Sequence, residues 1–374
     1  MSSSSLFAFN PIDYKALTRE LKSSKEFNDQ VKHLRTSLLL SETELNQRQQ
    51  LSNKLENYLN ESKIPGKFYL FGSSANSLGF KEADVDLYFE LDSVRDNEDG
   101  TDDCVLPKPI VLEVLGFIRR VLKLKLNISI EEPIVARVPI IKLDFKFKNG
   151  LNCDISLTSA HGVAHGRLLT HMCHIEPMFR DLALITKVWM KNSYMIDCHQ
   201  ITSFASSLMV MFYLQQKQLL PPVSSLSIDE TNYAINTEVQ WISPLAEKPT
   251  IAQLFLDFFT FFGSYDFKKV ISPFHGTPQP RSLLVLKSVK AKTLTVQDPF
   301  DLSLNVTHNT RKSFSKELVA TFKFLAATSE WLHEKLDGDH DTAAKSLFEY
   351  LISNNVTVSK EKRTKLCEET ALFY

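Results

Sequence analysis

Three aspartates in apolar surroundings are the residues of this chain whose spacing points most directly to chemistry. Asp84 and Asp86 lie two residues apart, where residues 85–91 predict a β-strand. Side chains alternate along a strand, so both carboxylates are expected on one face. Asp154 lies in a later strand candidate, residues 151–157. If the two strands pair, the three carboxylates converge.

Such a cluster needs cations. Two ionised carboxylates about 4 Å apart repel each other by roughly 4 kcal/mol at an effective dielectric constant near 20. Two divalent ions bridged by carboxylates support in-line phosphoryl transfer, where one activates the attacking hydroxyl and the other neutralises a triphosphate. Ligand sets made only of oxygen favour Mg²⁺ or Mn²⁺ over Zn²⁺. The pattern therefore predicts that Asp84, Asp86 and Asp154 bind two such ions and are the catalytic residues.

Gly72 and Ser73 directly follow a short strand candidate, residues 67–71. A glycine there lets the backbone approach a phosphate, and the amides that open the next short helix can bind the anion. An Asp-x-Asp pair alone is common in exposed loops. Its place in an apolar strand, after Gly-Ser and with a third strand-borne aspartate, favours the catalytic interpretation.

The predicted elements come in the order helices, a small mixed α/β unit, then helices again. Apolar spacing predicts helices over residues 12–62 and 108–126, and Lys148-Asn149-Gly150 predicts a hairpin turn. The aromatic run over residues 255–267 has helical spacing, which favours core packing over base stacking. The order predicts an α+β fold, with a small mixed-sheet palm and a larger helical lobe.

Composition excludes several classes of protein. The 374 residues carry a net charge of -1, so the overall charge indicates no polyanionic partner. The five cysteines show no C-x-x-C pair, which is typical of a reducing compartment. No secretory signal and no apolar run of about 18 residues is present. We therefore expect an intracellular protein of the nucleus or cytoplasm, monomeric and without a membrane partner.

Seven stretches together resemble the DNA polymerase β-like nucleotidyltransferases, in the branch of terminal uridylyltransferases and poly(A) polymerases. Within that branch the chain is most similar to the U6 RNA uridylyltransferase, speckle-targeted subgroup. The stretches follow the family's order: FGSSANSLGFKEADVDLYFEL (71–91), ARVPIIKLDF (136–145), CDISL (153–157), MFRDLALITKVWMKN (178–192), ITSFASSLMVMFYLQ (201–215), LFLDFFTFFGSYDF (254–267) and VQDPFDLSLNV (296–306).

The resemblance implies a division into domains and a set of roles. It implies N-terminal helices that pack with the helical lobe (10–62), a nucleotidyltransferase domain (63–167), a helical lobe of poly(A) polymerase-associated type (168–350) and a tail (351–374). The aspartate triad would hold the metals. The implied nucleotide contacts are Gly72 and Ser73 with the triphosphate, Lys187 and Lys191 with its β- and γ-phosphates, Ser203 with the same phosphates, and Phe204 with the base.

The chain departs from the family where the ribose and base are bound. His165-Gly166 replaces an Asn-Thr pair, and Leu304 replaces the histidine with which uridine-selective members recognise UTP. Asp298 and Asp301, near the base in the family, are retained in type. Leucine cannot hydrogen-bond a uracil carbonyl, so uridylyl and adenylyl transfer both stay open.

The expected function is addition of nucleotides from a nucleoside triphosphate to an RNA 3′ end, with UMP favoured, AMP as the second choice, and pyrophosphate released. The alternatives are an adenylyl-preferring poly(A) polymerase and a catalytically inactive scaffold that binds RNA or protein.

A histidine-rich segment could also suggest zinc. His161 and His165 have the helical i, i+4 spacing of a zinc site, and His171, Cys173 and His174 follow. A second ligand pair of standard spacing is lacking. We therefore interpret these residues as histidines beside the nucleotide cleft.

Overall fold

The structure is a computed structural model. It describes residues 12–92, 106–128, 130–135, 138–145, 151–158, 160–196, 200–229, 234–236, 241–283 and 293–354. The expected hairpin turn at residues 148–150 and most of the expected tail lie outside these ranges.

Three helices open the chain: α1 (Tyr14–Ser23), α2 (Phe27–Leu38) and α3 (Glu42–Glu61). The predicted helical character of residues 12–62 is therefore confirmed. Helix α3 begins with a capping box, in which the Ser41 hydroxyl accepts from the Glu44 backbone amide. In return the Ser41 amide donates to the Glu44 carboxylate at 2.8 Å. Reciprocal bonds of this kind satisfy donors that the first helical turn leaves unpaired.

A four-stranded mixed sheet follows. Its strands are β1 (Gly66–Phe71), β2 (Val85–Leu91), β3 (Ile140–Leu143) and β4 (Cys153–Ser156), and helix α4 (Lys108–Leu126) lies between β2 and β3 in the chain. The spatial order is β1-β2-β4-β3. Strands β1 and β2 are antiparallel, β2 and β4 parallel, and β3 and β4 antiparallel. The mixed-sheet prediction is confirmed, and α4 has the predicted bounds.

One face of this sheet is covered by α3 and α4. The strand residues that point inward alternate with the half-exposed residues of the other face. The buried cluster joins Leu51, Leu55 and Leu59 of α3 with Leu115 and Ile118 of α4, and both sets pack against Leu87, Phe89, Ile141 and Ile155 of the strands. Helices α3 and α4 thus cover one face of the sheet.

Helix α3 differs from the expectation that residues 10–62 pack with the helical lobe. Its leucines recur every four residues and form one apolar stripe. That stripe is buried against the sheet, so α3 belongs to the sheet unit. The chain divides into unit 1 (residues 1–13, 36–171 and 228–236) and unit 2 (residues 14–35, 172–227 and 237–374). The expectation is therefore wrong for α3, whereas α1 and most of α2 belong to unit 2.

The remaining helices are α5 (Ala160–Ile175), α6 (Pro177–Asn192), α7 (Ser203–Gln216), α8 (Ile251–Ser264), α9 (Lys312–Lys335) and α10 (His340–Ser353). The division between the units falls within α5, after His171. No helix in the described ranges is long and apolar enough to cross a lipid bilayer.

Aromatic side chains fill the core of unit 2. Phe259 of α8 lies edge-on to Trp189 of α6, with ring centroids 5.2 Å apart. Phe262 packs on Phe322 of α9 at 5.1 Å, and Phe255 stacks on Phe27 of α2 at 5.2 Å. These rings are fully buried. The predicted core role of the aromatic run is therefore confirmed for its helical part.

Candidate active site

Strand register brings two of the three aspartates together. Asp86 of β2 is the direct partner of Asp154 on the parallel strand β4. Neighbouring strands lie about 4.8 Å apart, so the two side chains leave the same face side by side. Asp84 directly precedes β2 and interacts electrostatically with both. The strand pairing expected from the sequence is therefore present, and it gathers the carboxylates on the face that α3 and α4 leave open.

The carboxylates perturb one another strongly. Burial, followed by the charges of Asp154 and Asp84, raises the pKa of Asp86 to about 7. Burial likewise raises the pKa of Asp154, against the opposing effect of Lys142. Both shifts disfavour the charged forms, which is what a cluster of like charges in a partly desolvated place produces. Without added cations, Asp86 therefore resists full ionisation at neutral pH.

Lys142 is a feature of this cluster that the sequence interpretation missed. It lies on β3 directly opposite Asp154, and its Nζ is 3.0 Å from Asp154 Oδ2. The other oxygen, Oδ1, is buried and has no hydrogen-bond partner in the described part of the chain. The carboxylate thus has one oxygen paired with an ammonium and one oxygen unsatisfied.

The donor set fits a hard divalent cation. It consists of carboxylate oxygens only, and it includes a buried oxygen that lacks a partner. Within the described residues, however, no group of three or more His, Cys, Asp or Glu side chains is arranged to hold a metal ion. One Asp154 oxygen is paired instead with the Lys142 ammonium, 3.0 Å away.

The turn after β1 requires glycine. Gly72 has φ +59°, and a Cβ at this position would lie 2.5 Å from Asp86 Oδ2. Gly72 and Ser73 begin a short 3₁₀ turn that ends at Ser74. The backbone of the turn therefore closely approaches the carboxylate cluster. In the fold, Gly72 therefore lies beside Asp86.

Arg48 of α3 is a second residue that the sequence interpretation missed. Its side chain is buried and donates to Ser74 Oγ at 2.6 Å. It also donates to the carbonyls of Lys81, Ala83 and Asp84 at 3.2, 2.7 and 3.1 Å. One guanidinium thus ties the turn after β1 to the segment that leads into Asp84. An arginine in the apolar stripe of a predicted helix, three residues before Leu51, was the available signal.

Helix α5 packs on the residues that follow Ser73. A Cβ at Gly166 would lie 3.4 Å from the Ala75 Cβ, and Thr170 donates to the Ala75 carbonyl at 3.2 Å. Gly166 and its neighbour His165 are therefore brought close to the Gly-Ser turn. A Cβ at position 166 would thus stand in close van der Waals contact with Ala75. The other residues of the histidine-rich segment differ in exposure. His171 and Cys173 are buried, whereas His161 and His174 are exposed.

The remaining predicted nucleotide contacts lie in unit 2. Lys187 is partly buried on α6 and Lys191 is exposed one turn later. Burial, then the charge of Lys191, lowers the pKa of Lys187 to about 7. Ser203 and Phe204, both half-buried, form the first turn of α7, where Thr202 caps the helix through the Ala205 amide at 3.1 Å. Two ammonium groups on one helical face are chemically suited to a polyphosphate.

Leu304 closes a turn built by Asp298. The buried Asp298 carboxylate accepts from the amides of Phe300 and Asp301 at 2.9 and 3.1 Å. The Leu304 amide donates to the Asp301 carbonyl at 2.8 Å, and its carbonyl accepts from the Asp298 amide at 3.0 Å. The backbone of Leu304 is thus held on both sides. Asp298 has a structural task in this turn that the family comparison does not reveal.

A small mixed sheet with carboxylates on adjacent strands, a Gly-Ser turn beside them and a separate helical unit together define a nucleotidyltransferase architecture. Residues 27–174 match the family model described as the central palm domain of mitochondrial-like poly(A) RNA polymerase. The chain is 28% identical to human terminal uridylyltransferase 7 over 281 residues, which is 69% of this chain and 18% of that protein. It is 23% identical to the zebrafish (Danio rerio) speckle targeted PIP5K1A-regulated poly(A) polymerase over 373 residues, which is 82% of this chain and 46% of that protein.

Solved structures show the same fold. A crystal structure of mtPAP in complex with ATPγS superposes with a TM-score of 0.72 at 20% identity, covering 91% of this chain and 76% of that one. These matches confirm the resemblance found in the sequence. The match over residues 27–174 and the two relatives make the chain similar to the branch that contains terminal uridylyltransferases and poly(A) polymerases. The chain spans less than half the length of the two curated relatives named above.

Proposed function

We propose that this protein is an RNA 3′-terminal nucleotidyltransferase. The 3′-hydroxyl of an RNA attacks the α-phosphate of a nucleoside triphosphate, an O–P bond forms, and pyrophosphate leaves. The observation that carries the proposal is the strand register that sets Asp86 beside Asp154, with Asp84 and the Gly-Ser turn next to them. The names of the relatives, terminal uridylyltransferase and poly(A) polymerase, describe the same class of reaction.

The carboxylates are the residues that would hold the metal ions. Asp84, Asp86 and Asp154 supply oxygen ligands suited to two Mg²⁺ or Mn²⁺ ions. When bound, such ions lower the pKa of an attacking hydroxyl and neutralise the leaving pyrophosphate. Gly72 lets the backbone approach the triphosphate, and the Ser73 amide and hydroxyl bind its oxygens. Arg48 keeps the Gly-Ser turn and the Asp84 segment in a fixed relation.

Unit 2 supplies the other contacts in this proposal. Lys187 and Lys191 bind the β- and γ-phosphates, since two ammonium groups complement the charge of a polyphosphate. Ser203 adds a hydroxyl to the same phosphates. Phe204 offers a flat π-face on which any base can stack. His165 and Gly166 take the place of the family's ribose contacts, and His165 can still hydrogen-bond a hydroxyl.

The second part of the proposal concerns which nucleoside triphosphate the protein uses. We favour UTP as the substrate, from the similarity to terminal uridylyltransferases. One observation favours adenylyl transfer instead, because the apolar side chain of Leu304 stands where uridine-selective relatives carry a hydrogen-bonding histidine. The inactive-scaffold alternative rests on His165 and Gly166. It is opposed by the complete set of three carboxylates.

Primer extension tests the proposal. The full chain is incubated with end-labelled RNA, Mg²⁺ or Mn²⁺, and each triphosphate in turn. We expect extension that is lost in Asp86→Asn and Asp154→Asn. The matched control is Asp337→Asn, because Asp337 is exposed and has φ 51°, a conformation that asparagine tolerates. A reaction of the unchanged protein without RNA distinguishes a nucleotide second-messenger synthase, which would form product without an acceptor.

Absence of extension with every triphosphate, or full activity in Asp86→Asn, would show that the proposal is wrong. A thermal-shift measurement with triphosphate and Mn²⁺ distinguishes the scaffold. A chain that has lost the site gains no stability from ligand, whereas an active enzyme does.

A further inference from the structure

Lys142, Asp154 and Asp86 form a row across three neighbouring strands. Lys142 is the antiparallel partner of Asp154, which is the parallel partner of Asp86. In β3 the buried residues alternate with half-buried ones, and Lys142 is on the half-buried side. All three side chains therefore leave the open face of the sheet. The ammonium is built into the carboxylate site by strand register.

The contact is specific in its atoms. Lys142 Nζ lies 3.0 Å from Asp154 Oδ2, a charge-assisted hydrogen bond, while Oδ1 of the same carboxylate is buried without a partner in the described part of the chain. The Asp154 side chain is only 17% exposed, whereas that of Lys142 is 39% exposed. Lys142 can therefore swing into solvent, and Asp154 cannot. In this pair the movable member is the cation.

A divalent ion and an ammonium compete for this place. Both are cations, and both bind the Asp154 carboxylate. Without a metal ion, Lys142 offsets part of the repulsion among the aspartates. With a metal ion beside Asp154, the ammonium is repelled by the ion, and the carboxylate is already neutralised.

We propose that Lys142 is a positioning residue that occupies the Asp154 end of the site in the metal-free protein and is displaced when metal binds. It thereby sets how much metal is needed to load the site. This inference rests on the proposed function, because it takes Asp154 as a metal ligand. It assigns to Lys142 a role toward the metal rather than toward the RNA.

Mn²⁺ binding to the full chain tests this directly, without any measurement of activity. Free Mn²⁺ is followed by electron paramagnetic resonance at one fixed pH, with no nucleotide present. The variants are Lys142→Gln, Lys142→Arg, Asp154→Asn and the double variant Lys142→Gln/Asp154→Asn. The matched control is Lys125→Gln, because Lys125 is also 39% exposed and pairs with Glu61 at 2.9 Å, outside the carboxylate site.

We expect Lys142→Gln to bind Mn²⁺ about tenfold more tightly. This follows because metal binding at Asp154 must break the charge-assisted contact of Lys142 with that carboxylate, a cost that Lys142→Gln removes, and a tenfold change corresponds to about 1.4 kcal/mol. Lys142→Arg keeps the charge and should bind like the unchanged protein, as should Lys125→Gln. In the Asp154→Asn background, removal of the lysine should give no gain, since the competed oxygen is gone. A second readout is thermal stability without metal, which Lys142→Gln should lower and Mn²⁺ should restore.

Unchanged or weaker Mn²⁺ binding in Lys142→Gln overturns the inference. An equal gain in the Asp154→Asn background also overturns it, because the effect would then be a general one of charge. If the unchanged protein and Asp154→Asn bind Mn²⁺ equally, Asp154 is no ligand and the proposed function fails with the inference. If Asp154→Asn weakens binding and Lys142→Gln does nothing, only the inference fails.

Discussion

Addition of one carbon at Gly72 should lower both the stability of the fold and the catalytic rate, by separate physical causes. In Gly72→Ala the new Cβ meets two obstacles, a φ of +59° and Asp86 Oδ2 at 2.5 Å. Forcing an ordinary residue into the left-handed region costs about 1–2 kcal/mol. The close contact must also be relieved, and the freest way is movement of the Asp86 carboxylate. A misplacement of about 1 Å can cost roughly a hundredfold in rate.

We therefore expect Gly72→Ala to lower the free energy of unfolding by about 1–3 kcal/mol and kcat/KM by roughly a hundredfold. Gly116→Ala is the matched control, because it is the same change in the interior of α4, and a Cβ there meets nothing within 4 Å. That variant should gain about 0.5–1 kcal/mol from the better helix propensity of alanine. Urea unfolding and primer extension measure the two quantities.

A third variant separates the two obstacles. Asparagine tolerates the left-handed conformation but still carries a Cβ, so Gly72→Asn should lose less stability than Gly72→Ala and just as much activity. Full activity in either Gly72 variant would refute the reasoning. It would mean that the approach of the turn to Asp86 has no bearing on the reaction.

Three further predictions concern other residues. Arg48→Met should lower the free energy of unfolding by about 3 kcal/mol or more in urea, because buried acceptors lose their donor, and Arg48→Lys by less; equal stability would contradict this. Triphosphate binding at pH 8 should take up a proton on Lys187, whose pKa is lowered from 10.5 to about 7. Calorimetry in two buffers of different ionisation enthalpy measures the uptake, and its persistence in Lys187→Met would assign it elsewhere. Leu304→His should raise the UTP/ATP incorporation ratio, and an unchanged ratio would show that another residue selects the base.

The Lys187 shift also predicts a pH dependence of stability. Its folded pKa lies below its unfolded pKa, so between about pH 7 and 10.5 the unfolded chain holds a proton that the folded chain does not. The contribution of this lysine to stability therefore rises with pH through that window and is constant below it. Replacement by methionine should flatten this part of the profile.

Local pattern sufficed for some elements and not for others. Strand β2 was predictable because apolar residues alternate with polar ones, and α4 because its apolar residues share one face. The parallel pairing of β2 with β4 was only an assumption, because register between distant strands is set by contacts that no local pattern contains. The partner of α3 was predicted wrongly for the same reason. An amphipathic helix shows which face is buried but not against what.

Some residues of the candidate site could likewise be predicted from the sequence, and others could not. Acidic residues on predicted strands can be recognised from their spacing, and the Gly-Ser pair from its position. Arg48 and Lys142 act through partners 26 and 12 residues away in sequence. Neither has a spacing of its own that marks it. The turn at Asp298 adds another limit, since an acidic residue retained for a turn and one retained for a base look alike in a sequence.

Each unit contains an ionisable side chain whose pKa is strongly shifted. In unit 1, burial and then the charges of Asp154 and Asp84 raise the pKa of Asp86, and in unit 2 burial and then the charge of Lys191 lower the pKa of Lys187. Asp86 and Lys187 are therefore both less charged at neutral pH than the same side chains free in water. A bound divalent ion favours the ionised form of Asp86, and a bound polyphosphate favours the protonated form of Lys187. A nucleoside triphosphate bound to such an ion carries both complements at once, whereas RNA alone or metal alone carries one. In the proposed reaction this complex is the substrate, so triphosphate and Mn²⁺ together should stabilise the chain more than the sum of each alone.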